Sequence, residues 1–249
     1  MDLLIDIGNS RVKWATHDEA RAGAEWFFAE PLLHGGDYQA CISPLWKELL
    51  KPGRVALSCV ASSAATSAVV DRVDSLWGMQ VRLLINAETA YDINSNYADR
   101  ELGVDRWLVV IGARSLLEGN VAIADFGSAV NIEFLAEGSE YLGGMILPGR
   151  MLMYQSLAAG TAMDLGDLAK FDGQLGESTD TAISAGVISA LTGALEKSIQ
   201  FAQKQHKREW RVIITGGDSK MLAPYLSKQY ILEPNLVFIG MSEVLNWQG

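Results

Sequence analysis

Basic charge is scarce in this chain, and so are histidine, cysteine and proline. Its 249 residues hold 20 Lys or Arg against 30 Asp or Glu, a formal net charge of -10. That balance argues against nucleic acid or an anionic membrane as the main partner, because both need basic surface. A small anionic ligand needs only local donors. The two cysteines, Cys41 and Cys59, follow no metal or redox spacing. They read as reduced packing residues of a cytoplasmic protein. The three histidines, His17, His34 and His206, lie far apart with no second ligand beside them, which argues against a histidine metal site. No apolar run reaches the roughly 20 residues that a bilayer crossing needs. The opening "MDLLIDIGN" lacks the basic region and long apolar stretch of a signal peptide. Neither G-x-x-x-x-G-K-[ST] nor G-x-G-x-x-G occurs, so a bound nucleotide is held by neither a P-loop nor a Rossmann turn. No Pro-, Gly- or Ser-rich linker divides the chain, so two halves, if present, are expected to pack directly together.

What the chain does have is apolar residue, 49% of it, with 20% charged. That is enough for a sizeable core. Short β-branched runs recur: "LLIDI", "RVKWA", "RVALSCV", "VRLLI", "VAIADF", "AVNIEFL", "RVIITG" and "LVFIG". Each is short enough for a strand and ends near Gly, Asn, Asp or Ser. Longer segments with helical spacing lie between them, such as "CISPLWKELLK", "SAVVDRVDSLWG", "DRWLVVIGARSLLEG" and "MLMYQSLAAGTAM". A further helix of about 25 residues is predicted after "STDTAISAG", capped by Ser178 or Thr179 and ending in Lys204, Lys207 and Arg208. Alternating strands and helices indicate an α/β protein with partly parallel sheets.

An internal repeat emerges on comparing "LLIDIGNS" with "VAIADFGSA" at 121–129. Both read as a buried strand, Asp-x-Gly, two small residues and a second apolar strand. A duplicated unit follows, with the boundary near residue 117. The bland reading of each turn is a β-hairpin, since Gly8-Asn9 is good turn chemistry. The sharper reading is a phosphate cradle. Glycine admits a ligand close to the backbone, and a concave set of N–H groups binds phosphate oxygens. Asn9 and Ser10 add side-chain donors, and Lys13 lies three residues on. Asp6 and Asp125, at strand ends, have the chemistry to hold a metal ion that neutralises phosphate.

Two more stretches matter. "ITGGDSKML" reads as a strand, Gly216-Gly217 and a helix, where an adenine or ribose has room to lie against backbone. A plain strand–helix turn explains it equally well. In "YADRELGVDRWLVVIGA", Asp105 and Arg106 open a helical segment just after Gly103. An acid there suits an ordinary helix start. It also suits a carboxylate that orients a hydroxyl and takes its proton, beside a guanidinium that holds a substrate carboxylate. Trp107 and the methionines Met145, Met151 and Met153 read as packing or subunit contact.

Taken together, "DIGNSRVKW", "LGVDRW", "DFGSA", "GGMILPG" and "ITGGD" occur in the order seen in the type III pantothenate kinases, which this chain resembles over nearly its whole length. The resemblance implies two ribonuclease-H-like domains around a central cleft, as in the acetate-kinase, sugar-kinase, Hsp70 and actin superfamily. Residues 1–117 and 118–249 would be those domains. It implies transfer of the ATP γ-phosphate to the primary hydroxyl of pantothenate, the first step of coenzyme A synthesis. Mg²⁺, a monovalent cation (K⁺ or NH₄⁺), a homodimer and a cytoplasmic location are implied with it. Carried residue by residue, Asp6, Ile7, Gly8, Asn9, Ser10, Arg11, Val12 and Lys13 resemble the first phosphate motif. Asp105 resembles the catalytic base. Gly103, Val104, Asp105 and Arg106 match the pantothenate-binding stretch, Tyr97 an aromatic substrate contact, Asp125 the monovalent-cation ligand, and Thr181 a substrate contact near the dimer interface. The family's Asp-x-Gly-Thr-Ala stands here as Asp125-Phe126-Gly127-Ser128-Ala129. Ser128 keeps the hydroxyl for an ATP phosphate contact and loses only a methyl. Asn131 stands where a hydroxyl residue is common.

Two other readings compete. A sugar or acetate kinase would share the turns and should lack "LGVDRW". A nucleotide-binding regulatory or accessory protein without transfer activity would be free to lose the carboxylates that Asp6, Asp105 and Asp125 retain.

Overall fold

The apolar run after Met1 becomes a strand buried at all six positions, and each half of the chain is built outward from such a strand. The computed structural model describes residues 1–18, 25–86, 90–95, 102–161 and 170–246. The strands are β1 (Asp2–Ile7), β2 (Arg11–Asp18), β3 (Glu25–Phe28), β4 (Leu32–Leu33), β5 (Arg54–Cys59), β6 (Arg82–Leu83), β7 (Asn94–Ser95), β8 (Val121–Phe126), β9 (Ala129–Ala136), β10 (Glu140–Pro148), β11 (Arg211–Thr215) and β12 (Ile231–Leu232). The helices are α1 (Tyr38–Ile42), α2 (Ser63–Trp77), α3 (Val104–Leu116), α4 (Arg150–Gly160), α5 (Thr179–His206), α6 (Ser219–Leu222) and α7 (Leu236–Asn246).

The chain forms two compact units. The first comprises the described residues within Met1–Ile93, Tyr97–Leu116 and Asn235–Gly249. Its sheet runs β3-β2-β1-β5-β6, with β4 beside β2. β1 pairs antiparallel with β2 and parallel with β5. Leu3, Ile5 and Ile7 pack with Val55, Leu57, Val69 and Val73 to form its core. The second unit comprises the described residues within Asn94–Asn96 and Leu117–Pro234, and its sheet runs β12-β11-β8-β9-β10-β7. Here β8 pairs antiparallel with β9 and parallel with β11. Phe126, Ile132 and Phe134 pack on Val187, Leu191, Leu195 and Ile199 of α5. The strand order around β1 thus reappears around β8, which is the repeat expected from "LLIDIGNS" and "VAIADFGSA".

Three local expectations are corrected. "LVFIG" was expected as a strand and is the start of α7. A short apolar run cannot be told from a buried helix by periodicity alone. Gly240 of α7 lets its backbone lie against that of Leu108 in α3, where a Cβ would collide with the Leu108 carbonyl. The C-terminal segment therefore belongs with the first unit, not with the residues that precede it, so the units differ there from a division into 1–117 and 118–249. "CISPLWKELLK" is not one helix: α1 stops at Ile42, Pro44 has no N–H to continue it, and Trp46 takes a left-handed φ of 63°. "VRLLI" contributes only the two-residue β6. The long helix α5 is capped by Ser178, whose hydroxyl accepts from the Thr181 N–H in a capping box.

Candidate active site

The site in the first unit starts from the β1–β2 hairpin. Its register sets Asp6 opposite Lys13 and Ile7 opposite Val12. The Gly8 N–H donates to the Arg11 carbonyl at 3.1 Å and closes the turn. Locally, the hairpin reading of the sequence is therefore correct, and the question is what the turn presents. Gly8 has no left-handed φ, and a Cβ there would meet nothing closer than the Arg11 carbonyl oxygen at 4.0 Å. The fold itself does not demand glycine at residue 8.

Asp6 sits at the end of β1 and is 3% exposed. Ser58, in register beside it on β5, donates from Oγ to Asp6 Oδ1 at 3.0 Å. Lys13 Nζ lies 3.5 Å from Asp6 Oδ2. The Asp6 carboxylate is thus held on one oxygen and paired on the other.

Asp105 enters from the first turn of α3, and its Oδ1 accepts from the Arg106 N–H at 2.8 Å. Burial pushes the Asp105 carboxyl above the usual carboxylate range, and the negative charge of Asp6 pushes the same way. The Arg106 N–H, the Arg106 charge and the Lys13 charge pull it down. Asp6, Lys13, Asp105 and Arg106 therefore act on one another electrostatically, although up to 100 residues separate them in the chain. A Cβ at Gly103 would come within 2.6 Å of Asp105 Oδ1, so the absence of a side chain there leaves the carboxylate its position. Val104 is the first residue of α3, and Arg106 and Trp107 are buried.

In the second unit, Asp125 ends β8 and pairs in register with Asn131. The Gly127 N–H donates to the Ala129 carbonyl at 3.1 Å, the counterpart of the Gly8 turn. Gly216, at the end of β11, has φ 90°. A Cβ there would collide with Asp125 Oδ1 and with the carbonyl of Phe126. The Phe126 carbonyl accepts from the Asp218 N–H at 3.0 Å, so of the two oxygens it is the Asp125 carboxylate, a hard oxygen donor, whose chemistry fits an oxygen-liganded cation such as Mg²⁺ or K⁺. Arg150 Nε lies 3.3 Å from Asp218 Oδ2, which ties the start of α4 to the "GGD" turn.

Of the residues marked in the sequence, the turn Gly8–Ser10 with Asp6 and Lys13, and the group Gly103–Arg106, fall in the first unit. Asp125, Ser128 and Thr181 fall in the second. Thr181 Oγ1 is occupied in the capping box, accepting from the Ser178 N–H at 3.0 Å, so the structure gives it a helix-starting role. Tyr97 lies outside the described residues. Sequence reasoning missed Ser58, His34 and the Arg150–Asp218 pair. Ser58 had a findable signal, since a polar residue inside the apolar run "RVALSCV" needs a partner; for the other two the sequence offers none.

Comparison with known proteins adds three findings. The sequence profile of a family described as type III pantothenate kinase matches residues 2–200. A type III pantothenate kinase from Chromobacterium violaceum is 37% identical over 99% of this chain and 100% of its own length. Among solved structures, a Baf-family protein from Campylobacter jejuni superimposes with a TM-score of 0.62 at 20% identity, covering 98% of this chain and 96% of the other. A glucokinase from an Antarctic psychrotroph does so with a TM-score of 0.51 at 12% identity, covering 98% of each chain. At those identities the likeness is one of fold, that of the actin-like ATPases and sugar kinases.

Proposed function

Because this chain belongs to the type III pantothenate kinases, and so is an ATP-dependent kinase of pantothenate in coenzyme A biosynthesis, we propose how its residues divide that work. The Gly8–Ser10 turn takes phosphate oxygens of ATP on its backbone N–H groups, with Lys13 supplying positive charge beside it. The Ile7, Arg11 and Val12 backbone frames that turn. Asp105 orients the primary hydroxyl of pantothenate and accepts its proton, and Arg106 holds the pantothenate carboxylate. Gly103 and Val104 shape the same stretch, and Tyr97 adds an aromatic contact. In the second unit Ser128 donates to phosphate, Asp125 is the cation ligand, and Thr181 contributes from the start of α5.

The observation that carries this reading is the convergence of Asp6, Lys13 and Asp105 beside a turn whose glycine the fold does not need. Phosphoryl transfer is mostly positioning and charge neutralisation. The Ser58 hydroxyl fixes Asp6, so the Asp6–Lys13 pair is set before ATP arrives. The raised pKa of Asp105 makes it a better proton acceptor than an exposed carboxylate. Mg²⁺, when bound, neutralises phosphate charge; within the first unit Asp6 is the carboxylate that would take part in holding it, and within the second Asp125 is the carboxylate that suits a monovalent cation.

A cytoplasmic homodimer completes the proposal. Its support is an apolar set on β10 and α4: Met145, Ile146, Met151 and Leu152 are all exposed, Ile146 by 60%. Light scattering on the purified protein should give twice the chain mass. An ADP-release assay with pantothenate, with a panel of sugars and with no acceptor tests the rest. Release that depends on pantothenate alone is expected, and release with a sugar or without acceptor would overturn the assignment of Asp105 and Arg106. Omitting K⁺ and NH₄⁺ from that assay should lower the rate.

A further inference from the structure

His34 is remote from every motif, yet it touches the phosphate turn twice. It is 7% exposed and its ring lies against Tyr38, with centroids 4.5 Å apart. The ring nitrogens have different partners. The Gly36 N–H points at Nδ1 at 3.0 Å, so Nδ1 must be the acceptor. The proton of the neutral ring then sits on Nε2, and Nε2 donates to the Gly8 carbonyl at 3.2 Å. The His34 backbone N–H also donates, to the Ser10 carbonyl at 3.3 Å.

These bonds constrain what the turn offers a ligand. In a trans peptide the C=O and the next N–H point in opposite directions. Drawing the Gly8 carbonyl to His34 therefore turns the Asn9 N–H away from His34. Drawing the Ser10 carbonyl the same way does likewise for the Arg11 N–H. Left alone, a turn rich in glycine and asparagine has several peptide orientations of similar energy. Binding from such an ensemble is weakened by the fraction of turns with the wrong orientation.

We propose that His34 is a positioning residue for ATP: its Nε2–H tautomer, fixed by Gly36, holds the Gly8–Asn9 peptide with its N–H directed outward to phosphate. This rests on the reading of the turn given above. His34 touches no substrate; it acts through the backbone.

The two side-chain amides separate its two contacts. His34→Gln places an amide N–H near the position of Nε2 and keeps a donor for Gly8. His34→Asn places an oxygen near the position of Nδ1, keeps an acceptor for Gly36, and does not reach Gly8. Steady-state kinetics of the full chain, varying ATP and pantothenate in turn, should show the ATP KM raised about tenfold in His34→Asn, the size of one lost hydrogen bond. The pantothenate KM should be unchanged, and His34→Gln should restore the ATP KM to within about threefold. A merely structural residue would instead move both KM values or neither. A normal ATP KM in His34→Asn, or no rescue by glutamine, overturns the proposal. Should His34→Asn fail to fold, ¹⁵N spectra of the wild-type imidazole decide: a neutral ring protonated on Nε2 supports it, and a proton on Nδ1 overturns it. Gly8→Ala serves as the control. If it leaves the ATP KM unchanged, the reading of the turn itself falls; if it raises the ATP KM while His34→Asn does not, only the role of His34 falls.

Discussion

Asp105 illustrates how one side chain can oppose folding and serve chemistry. Its carboxyl is raised by burial and by Asp6, so over the pH range just above the ordinary carboxylate value the folded chain binds more protons than the unfolded one. Stability from this group is present at low pH and declines as pH rises through the raised value. At neutral pH its ionisation therefore works against the fold. Asp105→Asn should melt no lower than wild type near pH 7 in a thermal scan, while kcat falls by roughly 10²–10⁴-fold. The Asn oxygen still accepts from the Arg106 N–H, which keeps the comparison clean. The acid limb of the kcat/KM profile should lie above the ordinary carboxylate range, and Asp6→Asn should bring it down. Gly8→Ala should fold normally, since its Cβ meets nothing closer than 4.0 Å, and show a raised ATP KM. Gly103→Ala should instead lower kcat, because its Cβ would displace the Asp105 carboxylate.

At the scale of elements, the first turn of α3 carries Asp105, and α7 holds α3. The two helices touch backbone to backbone where Gly112 and Gly240 remove side chains: a Cβ at Gly112 would lie 2.5 Å from the Leu236 carbonyl, and one at Gly240 would collide with the Leu108 carbonyl. Gly240→Ala should cost about 1–3 kcal/mol in urea unfolding, the usual penalty of overpacking. It should lower kcat as well, since α3 must shift to make room. Ser178→Ala removes the cap of α5 and should cost about 1 kcal/mol with no change in the pantothenate KM. An altered KM in that variant would show that the start of α5 does reach substrate.

For the whole molecule, the C-terminus closes the first unit. Arg54 Nη1 donates to the Leu245 carbonyl at 3.0 Å and Nη2 to Asn246 Oδ1 at 2.7 Å, while Nε bonds Asp2 Oδ1 at 3.1 Å. One guanidinium thus ties β1, β5 and the end of α7. A chain ending at residue 234 should lose the cooperative unfolding of the first unit, measured by circular dichroism, because the apolar face of α3 is left uncovered. A chain in which only the charge of Arg54 is removed, Arg54→Gln, should retain it with a lower midpoint.

The sequence by itself determined the α/β class, the two equivalent Asp-x-Gly hairpins, and the places of α2, α3, α4 and α5. Period and turn chemistry act locally, and in those segments nothing distant contradicts them. It marked Asp6, Lys13 and Asp125 as candidates by their place beside the two turns and Asp105 by its place at the start of a helical segment, but whether Asp6, Lys13 and Asp105 act on one another was a matter for the tertiary structure. Only the tertiary structure decided that "LVFIG" is helical and returns to the first unit, since an all-apolar run takes its shape from what buries it. The pairing of Ser58 with Asp6, the raised pKa of Asp105 and the grip of His34 on Gly8 were likewise decided there. Each depends on which atoms meet across a sheet or a loop, and no local spacing encodes that distance.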